Sequence, residues 1–139
     1  RERMPHVVGP HPLRQMWAYK YDQRLTGIGP HADSAAINVN FWITPESANR
    51  DPHTGGLVVW RRCAPLDWDF DAFNRQPEAI MAWTRATGAE EIHVPYRCNR
   101  AVLFDSNLVH RTGDLDFKPG YDNRRVNITM LFGVRGKLD

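Results

Sequence analysis

Cysteine is scarce. The 139 residues hold two, Cys63 and Cys98, and neither sits in a CxxC pair. That excludes a disulfide framework, and two reduced thiols lead to an expectation of a cytoplasmic protein. Long apolar runs are missing as well. None approaches the roughly 18–20 residues of a membrane-spanning helix, and no signal-peptide pattern opens the chain, so a membrane is not an expected partner. Charge of one sign is lacking: 18 Lys and Arg against 16 Asp and Glu leave +2. With no basic block along the chain, nucleic acid is not an expected partner either.

Hydrophobic residues make up 42% of the chain and aromatic residues 11%. That is enough to bury a core of ordinary size, and the length fits one domain over 1–139. The chain opens Arg1-Glu2-Arg3 without an initiator methionine, and is expected to be a trimmed or processed piece of something longer.

Five runs carry strand character, all rich in β-branched or aromatic residues and bounded by Gly, Pro, Asn or Asp. They cover 15–21 (QMWAYKY), 36–44 (AINVNFWIT), 57–61, 100–105 (RAVLFD) and 124–134 (RRVNITMLFGV). In the second, Ile37, Val39, Phe41 and Ile43 alternate with Asn38, Asn40 and Trp42. In the last, Val126, Ile128, Met130 and Phe132 share one face, and Arg125, Asn127, Thr129 and Leu131 the other. Shorter strands are expected at 91–94 and 108–111. Residues 71–87 predict one helix of about ten residues, with Pro77 suited to its first turn and Gly88 to its stop. Proline-rich stretches at 4–12 and 44–56 read as loops. The sum is a mainly β chain with one inserted helix, a sandwich or a small barrel.

The chemistry centres on four residues. In His31-Ala32-Asp33 the first and third side chains of an extended segment project from one face, about 6.6–6.8 Å apart along the backbone. An imidazole and a carboxylate so placed can converge on one metal ion. The pair alone is a weak signal: with six histidines and eleven aspartates among 139 residues, chance supplies about half of one. A loop histidine beside a solvated aspartate explains it equally well. His110 ends a strand-turn-strand passage and would complete two histidines and one carboxylate, the donor set of non-haem Fe(II) oxygenases. A satisfied, partly buried histidine is the plain alternative. Arg125 lies on the polar face of the last strand. Inside a barrel its fixed charge needs an acidic partner, whereas on a solvated face it needs none.

Taken together, HAD at 31–33, LFDSNLVH at 103–110 and RRVNITMLFG at 124–133 resemble the core of the 2-oxoglutarate- and Fe(II)-dependent dioxygenases over residues 17–134. The likeness is nearest to the prolyl-hydroxylase-like and phytanoyl-CoA-hydroxylase-like branches. It implies a double-stranded β-helix, a jelly-roll or cupin-like barrel. It also implies His31, Asp33 and His110 as ligands of Fe(II), and Arg125 as the anchor of the distal carboxylate of 2-oxoglutarate. Arg125 is preferred to Arg124 because Arg124 shares the apolar face with Val126 and Ile128. Asn127 would assist at that carboxylate and Tyr21 would face the co-substrate, while Asn40 and Trp42 would line the pocket. The implied reaction consumes O2 and 2-oxoglutarate, releases succinate and CO2, and hydroxylates a C–H bond; an aspartate ligand points away from halogenation. Two departures stand out. His110 follows Asp33 by 77 positions, more than compact members use. The chain is also short for the family, so N-terminal supporting helices are expected to be missing from it.

The resemblance leaves small-molecule and peptide substrates both open and sets no oligomeric state. A cupin-like metalloenzyme that uses no 2-oxo acid, and a non-catalytic ligand-binding β-sandwich, are the competing readings. His6, His11, His53 and His93 lack partners at ligand spacing, and Trp60, Trp68 and Trp83 read as packing. The acidic, aromatic stretch 67–71 reads either as a lid or as a helix N-terminal cluster.

Overall fold

The computed structural model describes residues 4–21 and 25–136. Among them are seven strands and one α-helix. In chain order these are β1 (Leu13–Lys20), β2 (Ile37–Trp42), β3 (Leu57–Cys63), α1 (Pro77–Ala86), β4 (Glu91–Val94), β5 (Ala101–Asp105), β6 (Leu108–Thr112) and β7 (Val126–Phe132). Every expected strand is present within a few residues of its expected bounds. The helix has the expected ten residues, with Pro77 in its first turn and Gly88 just past its end at φ +61°. Asp71–Arg75 forms a separate, wider π-type turn ahead of it.

The strands pair antiparallel throughout, in two sheets ordered β1-β7-β2-β5 and β4-β3-β6. No strand pairs across from one sheet to the other among the described residues. The sheets therefore face each other as an open sandwich, and no closed barrel forms. Trp42 of β2 and Val102 and Phe104 of β5 meet Leu57 and Val59 of β3 and Leu108 of β6 in the space between. There Trp42 stacks on Tyr96 at 5.4 Å, and Tyr96 meets Phe117 edge-on at 5.1 Å.

β3 is buried on both faces. Val58 and Trp60 point outward beneath α1, where Ile80, Phe73, Ala32 and Val109 complete a second cluster. Burying a side chain such as Ile80 stabilises by roughly 1.5–3 kcal/mol, which explains why a helix is inserted between two strands of one sheet. Trp68 and Trp83 flank this cluster, and Trp60 lies in it, as packing residues.

The four-stranded sheet is oriented against the usual rule. Its inner face carries the polar set Asn38, Asn40, Arg125, Asn127 and Thr129, all buried. Its outer face carries Val39, Phe41, Ile128 and Met130, all half-buried. The polar face of the last strand is thus turned to the interior and not to water. A sheet interior lined with amides and a guanidinium costs stability unless those groups find partners, and their partners make up the site.

Candidate metal centre

His31 sits opposite His110 on the edge of β6. The His31 N–H donates to the His110 carbonyl at 2.9 Å, and the His110 N–H donates back at 2.8 Å. Directly opposed residues present their side chains on the same side, and the two rings lie 4.3 Å apart. The Asp33 N–H donates to the Ser106 carbonyl at 2.9 Å, which keeps the segment extended and returns Asp33 to the same face. Between them Ala32 points the other way into the cluster under α1, and its N–H donates to the Phe73 carbonyl at 2.8 Å. Asn74 Nδ2 donates to the Ala32 carbonyl at 2.8 Å. The tripeptide is clamped from both edges.

The ring nitrogens are already sorted. Nδ1 of His31 lies 2.7 Å from the Gly29 carbonyl and Nδ1 of His110 lies 2.9 Å from the Leu108 carbonyl. A carbonyl accepts only, so each Nδ1 carries the proton and each Nε2 offers a lone pair. Those two nitrogens stand 3.8 and 3.4 Å from the Asp33 carboxylate oxygens. The three candidate donor atoms lie within 4.8 Å of one another. Burial, then the neighbouring His110, pushes the His31 pKa down to about 4, against the opposing pull of Asp33 and the Gly29 carbonyl. Burial tends to raise the Asp33 pKa. The neighbouring imidazoles, His110 before His31, and the Asn38 amide outweigh it and hold the carboxyl below its ordinary value. His31 is neutral and Asp33 ionised near neutrality. Two bare imidazole nitrogens and an anion converging in a buried space form a donor set that a divalent cation satisfies.

Arg125 is the second feature. It is 1% exposed, with Nε donating to the Gly55 carbonyl at 2.5 Å and Nη2 to the Gly56 carbonyl at 3.3 Å. Its guanidinium lies 5.1 Å from the Tyr21 ring and 5.6 Å from the Trp42 ring. Desolvation lowers its pKa to about 10, so the group stays charged near neutrality. No carboxylate pairs with it among the described residues, and Nη1 is buried without a hydrogen-bond partner there. A buried cation held by neutral groups alone favours an anionic ligand.

His31, Asp33, His110, Arg125, Asn127, Tyr21 and Asn40 all line one pocket of about 590 Å3, within the usual range of small-molecule sites, about 300–1,000 Å3. All seven candidate residues are therefore brought together. Trp42 is not among the lining residues; it is fully buried in the stack on Tyr96. Arg124 lies outside the pocket, its guanidinium 5.5 Å from the Tyr121 ring.

Several lining residues escaped the sequence reading. Asn38 donates to Asp33 Oδ2 at 2.6 Å; it shares the alternating face of Asn40, and that periodicity was its only signal. Asn74, from the stretch before α1, also borders the pocket, as does Phe70 of the stretch 67–71 that reads as a lid or a helix N-terminal cluster. The acidic residues nearby serve the turn itself: Asp69 accepts from the Ala72 N–H at 2.9 Å, and Asp71 pairs with Arg75 at 3.0 Å. The Gly55 and Gly56 carbonyls on Arg125 have no side-chain signature at all.

No family model matches the chain and no curated protein matches it. Solved structures do. The crystal structure of EvdMO1 superposes with a TM-score of 0.62 at 19% identity, covering 91% of this chain and 28% of the other. An N-substituted L-amino acid dioxygenase from Burkholderia ambifaria AMMD superposes with a TM-score of 0.54 at 14% identity, covering 91% of this chain and 55% of the other. The chain therefore spans 28% and 55% of the lengths of these two structures, and at such identities what it has in common with them is the fold.

Proposed function

We propose that the chain is the core of an Fe(II)- and 2-oxoglutarate-dependent oxygenase with a double-stranded β-helix fold. On this reading it hydroxylates a C–H bond of a small-molecule or peptide substrate and releases succinate and CO2. The strand order supports the fold assignment. From β4 to β7 each strand lies in the other sheet from the one before it, and the bridge of His31, between β1 and β2 in the chain, to β6 supplies a rudimentary fourth member to the second sheet. One structural neighbour is an amino acid dioxygenase, which agrees with oxygenase chemistry.

One observation carries the reading. A two-histidine, one-carboxylate donor set shares a pocket with a buried arginine whose Nη1 has no partner among the described residues. His31, Asp33 and His110 would hold the iron, which when bound supplies the activation of O2 coupled to decarboxylation of the 2-oxo acid. The protein's own residues bind and orient. Asp33 supplies the anionic ligand, and the backbone pair between His31 and His110 keeps both Nε2 atoms aimed at one point. Arg125, fixed by the Gly55 and Gly56 carbonyls, offers Nη1 to the distal carboxylate of the co-substrate. The Tyr21 ring beside the guanidinium keeps that end of the pocket dry. Asn127 and Asn40 line the wall between the two ends.

A cupin-like enzyme without a 2-oxo acid would use the donor set and leave Arg125 without a counter-ion. Measuring succinate formed from 2-oxoglutarate with Fe(II) and O2 tests the proposal. Uncoupled turnover is expected in the wild type and a loss of at least about 100-fold in Asp33→Ala, which removes the anionic ligand. Equal rates in the two proteins would remove Asp33 from the centre.

A further inference from the structure

A line of four side chains connects the arginine end of the pocket to the candidate metal-binding carboxylate. Asn127 Nδ2 donates to Thr129 Oγ1 at 2.8 Å, and the Thr129 hydroxyl donates to Asn40 Oδ1 at 3.4 Å. Asn40 Nδ2 donates to Asn38 Oδ1 at 2.7 Å, and Asn38 Nδ2 donates to Asp33 Oδ2 at 2.6 Å. We propose that Asn38, Asn40, Thr129 and Asn127 form a one-way hydrogen-bond relay that positions the Asp33 carboxylate, tying Oδ2 to the relay and leaving Oδ1 to a metal ion. This inference rests on the metal centre proposed above.

Sheet register builds the relay. Asn40 and Thr129 are direct partners between β2 and β7, while Asn38 and Asn127 lie two residues away on the same inner face. All five residues, Asp33 included, are 8% exposed or less, so water cannot substitute cheaply for a missing link.

The direction follows from the charge at one end. An ionised carboxylate only accepts, so Asn38 must turn its NH2 toward Asp33 and its carbonyl toward Asn40. Asn40 must then donate to Asn38 and accept from Thr129. The Thr129 hydroxyl gives its proton to Asn40 and takes a donor from Asn127. Turning any amide over would set two acceptors against each other at hydrogen-bond distance. The consequence reaches the far end: Asn127 is left presenting Oδ1, which is buried and has no hydrogen-bond partner among the described residues. A polarised chain ending on an anion strengthens its last bond, here the one that fixes which Asp33 oxygen is free.

The four residues are thus positioning residues, and metal affinity reads their effect without any turnover. Co(II) titrated into the metal-free protein, followed by calorimetry and by its visible d–d bands, is the measurement. Asn38→Leu should weaken Co(II) binding about 10–100-fold, the usual range for partners behind a metal ligand. Thr129→Val, two links away and nearly the same shape, should weaken it at least about three-fold and shift the bands; Thr129→Ser should restore both. Thr84→Val, which removes another buried hydroxyl bonded to the Ile80 carbonyl in α1, controls for general loss of stability and should bind as the wild type does. Should Asn38→Leu fail to fold, the two Thr129 variants decide alone. Wild-type affinity and spectrum in Thr129→Val would overturn the relay while leaving the metal centre standing. A wild type that takes up no Co(II) would overturn both.

Discussion

His31 and His110 are hydrogen-bonded to each other through their main chains, not their rings. Each donates its N–H to the other's carbonyl, and each turns its Nδ1 onto a carbonyl two residues earlier, Gly29 and Leu108. Residues 79 positions apart are thereby held as one unit, with both Nε2 atoms facing Asp33. A loop histidine beside a solvated aspartate would show neither the reciprocal backbone pair nor the matched tautomers. The arrangement organises lone pairs before any cation arrives, so the protein bears the cost of gathering them when it folds.

That cost has a pH signature. The folded-state pKa of His31 is near 4, below the ordinary value of 6.5, chiefly because the ring is desolvated. The unfolded chain therefore takes up a proton near pH 6.5 that the folded protein refuses until about pH 4. Stability of the metal-free protein should be level above pH 6.5 and fall between 6.5 and 4, with a slope of at most about 1.4 kcal/mol per pH unit. Asp33, whose pKa is lowered, adds its own loss only below that window. Urea unfolding at about pH 5 and about pH 7 should show a smaller difference for His31→Gln than for the wild type; identical differences would contradict the desolvated ring.

Arg125 uses a fork that lysine lacks. Nε and Nη2 face the Gly55 and Gly56 carbonyls, which leaves Nη1 for a ligand. A lysine cannot satisfy both carbonyls and a carboxylate in that plane. Arg125→Lys should raise the apparent Kd for 2-oxoglutarate about 10–100-fold, the equivalent of roughly 1.5–3 kcal/mol for a charge-assisted bond, while Co(II) affinity stays close to wild type. An unchanged Kd for 2-oxoglutarate would assign the anchoring role elsewhere.

Gly56 is irreplaceable for steric reasons. A Cβ at this position would lie within bonding range of the Val94 carbonyl oxygen on the adjacent strand β4, 1.9 Å away, with backbone atoms of Pro95 and Tyr96 at 2.9 Å. Gly56→Ala must separate the strands there and shift the carbonyl that supports Arg125. It should lower stability by about 2 kcal/mol or more, as overpacking against backbone does, and weaken 2-oxoglutarate binding with it. Thermal unfolding at wild-type temperature would contradict the close approach.

Much of the fold was legible because its strands obey a two-residue period and are bounded by turn formers. The runs at 37–42 and 126–132 show it best: their alternation determines which residues share a face. Which face is inside did not follow from the alternation alone. Apolar residues on one side of β7 and Arg125, Asn127 and Thr129 on the other fit a solvated polar face as well as an interior one; the family resemblance turned Arg125 and Asn127 inward, and the polar side is interior. Burial follows from what packs opposite, and the opposing strands β3 and β6 come from distant parts of the chain. The candidate donor set was legible only through the motifs at 31–33, 103–110 and 124–133 taken together as a family resemblance, since the His-x-Asp spacing alone is a weak signal. The carbonyls of Gly55 and Gly56 were not, since backbone acceptors leave no trace in residue type. Trp42 was misjudged for a related reason: it shares the strand face of Asn38 and Asn40, but its ring turns away to stack on Tyr96.

The central claim is that one pocket holds a metal on His31, Asp33 and His110 and a 2-oxo acid on the metal and Arg125 together. Anaerobic titration of the protein with Fe(II) and then 2-oxoglutarate tests it most directly, by the visible charge-transfer band of the chelate. The account predicts that the band grows to one equivalent in the wild type and is absent in His110→Ala. Iron binding without the band on adding 2-oxoglutarate would contradict the co-substrate assignment, and failure to bind iron at all would contradict the centre itself.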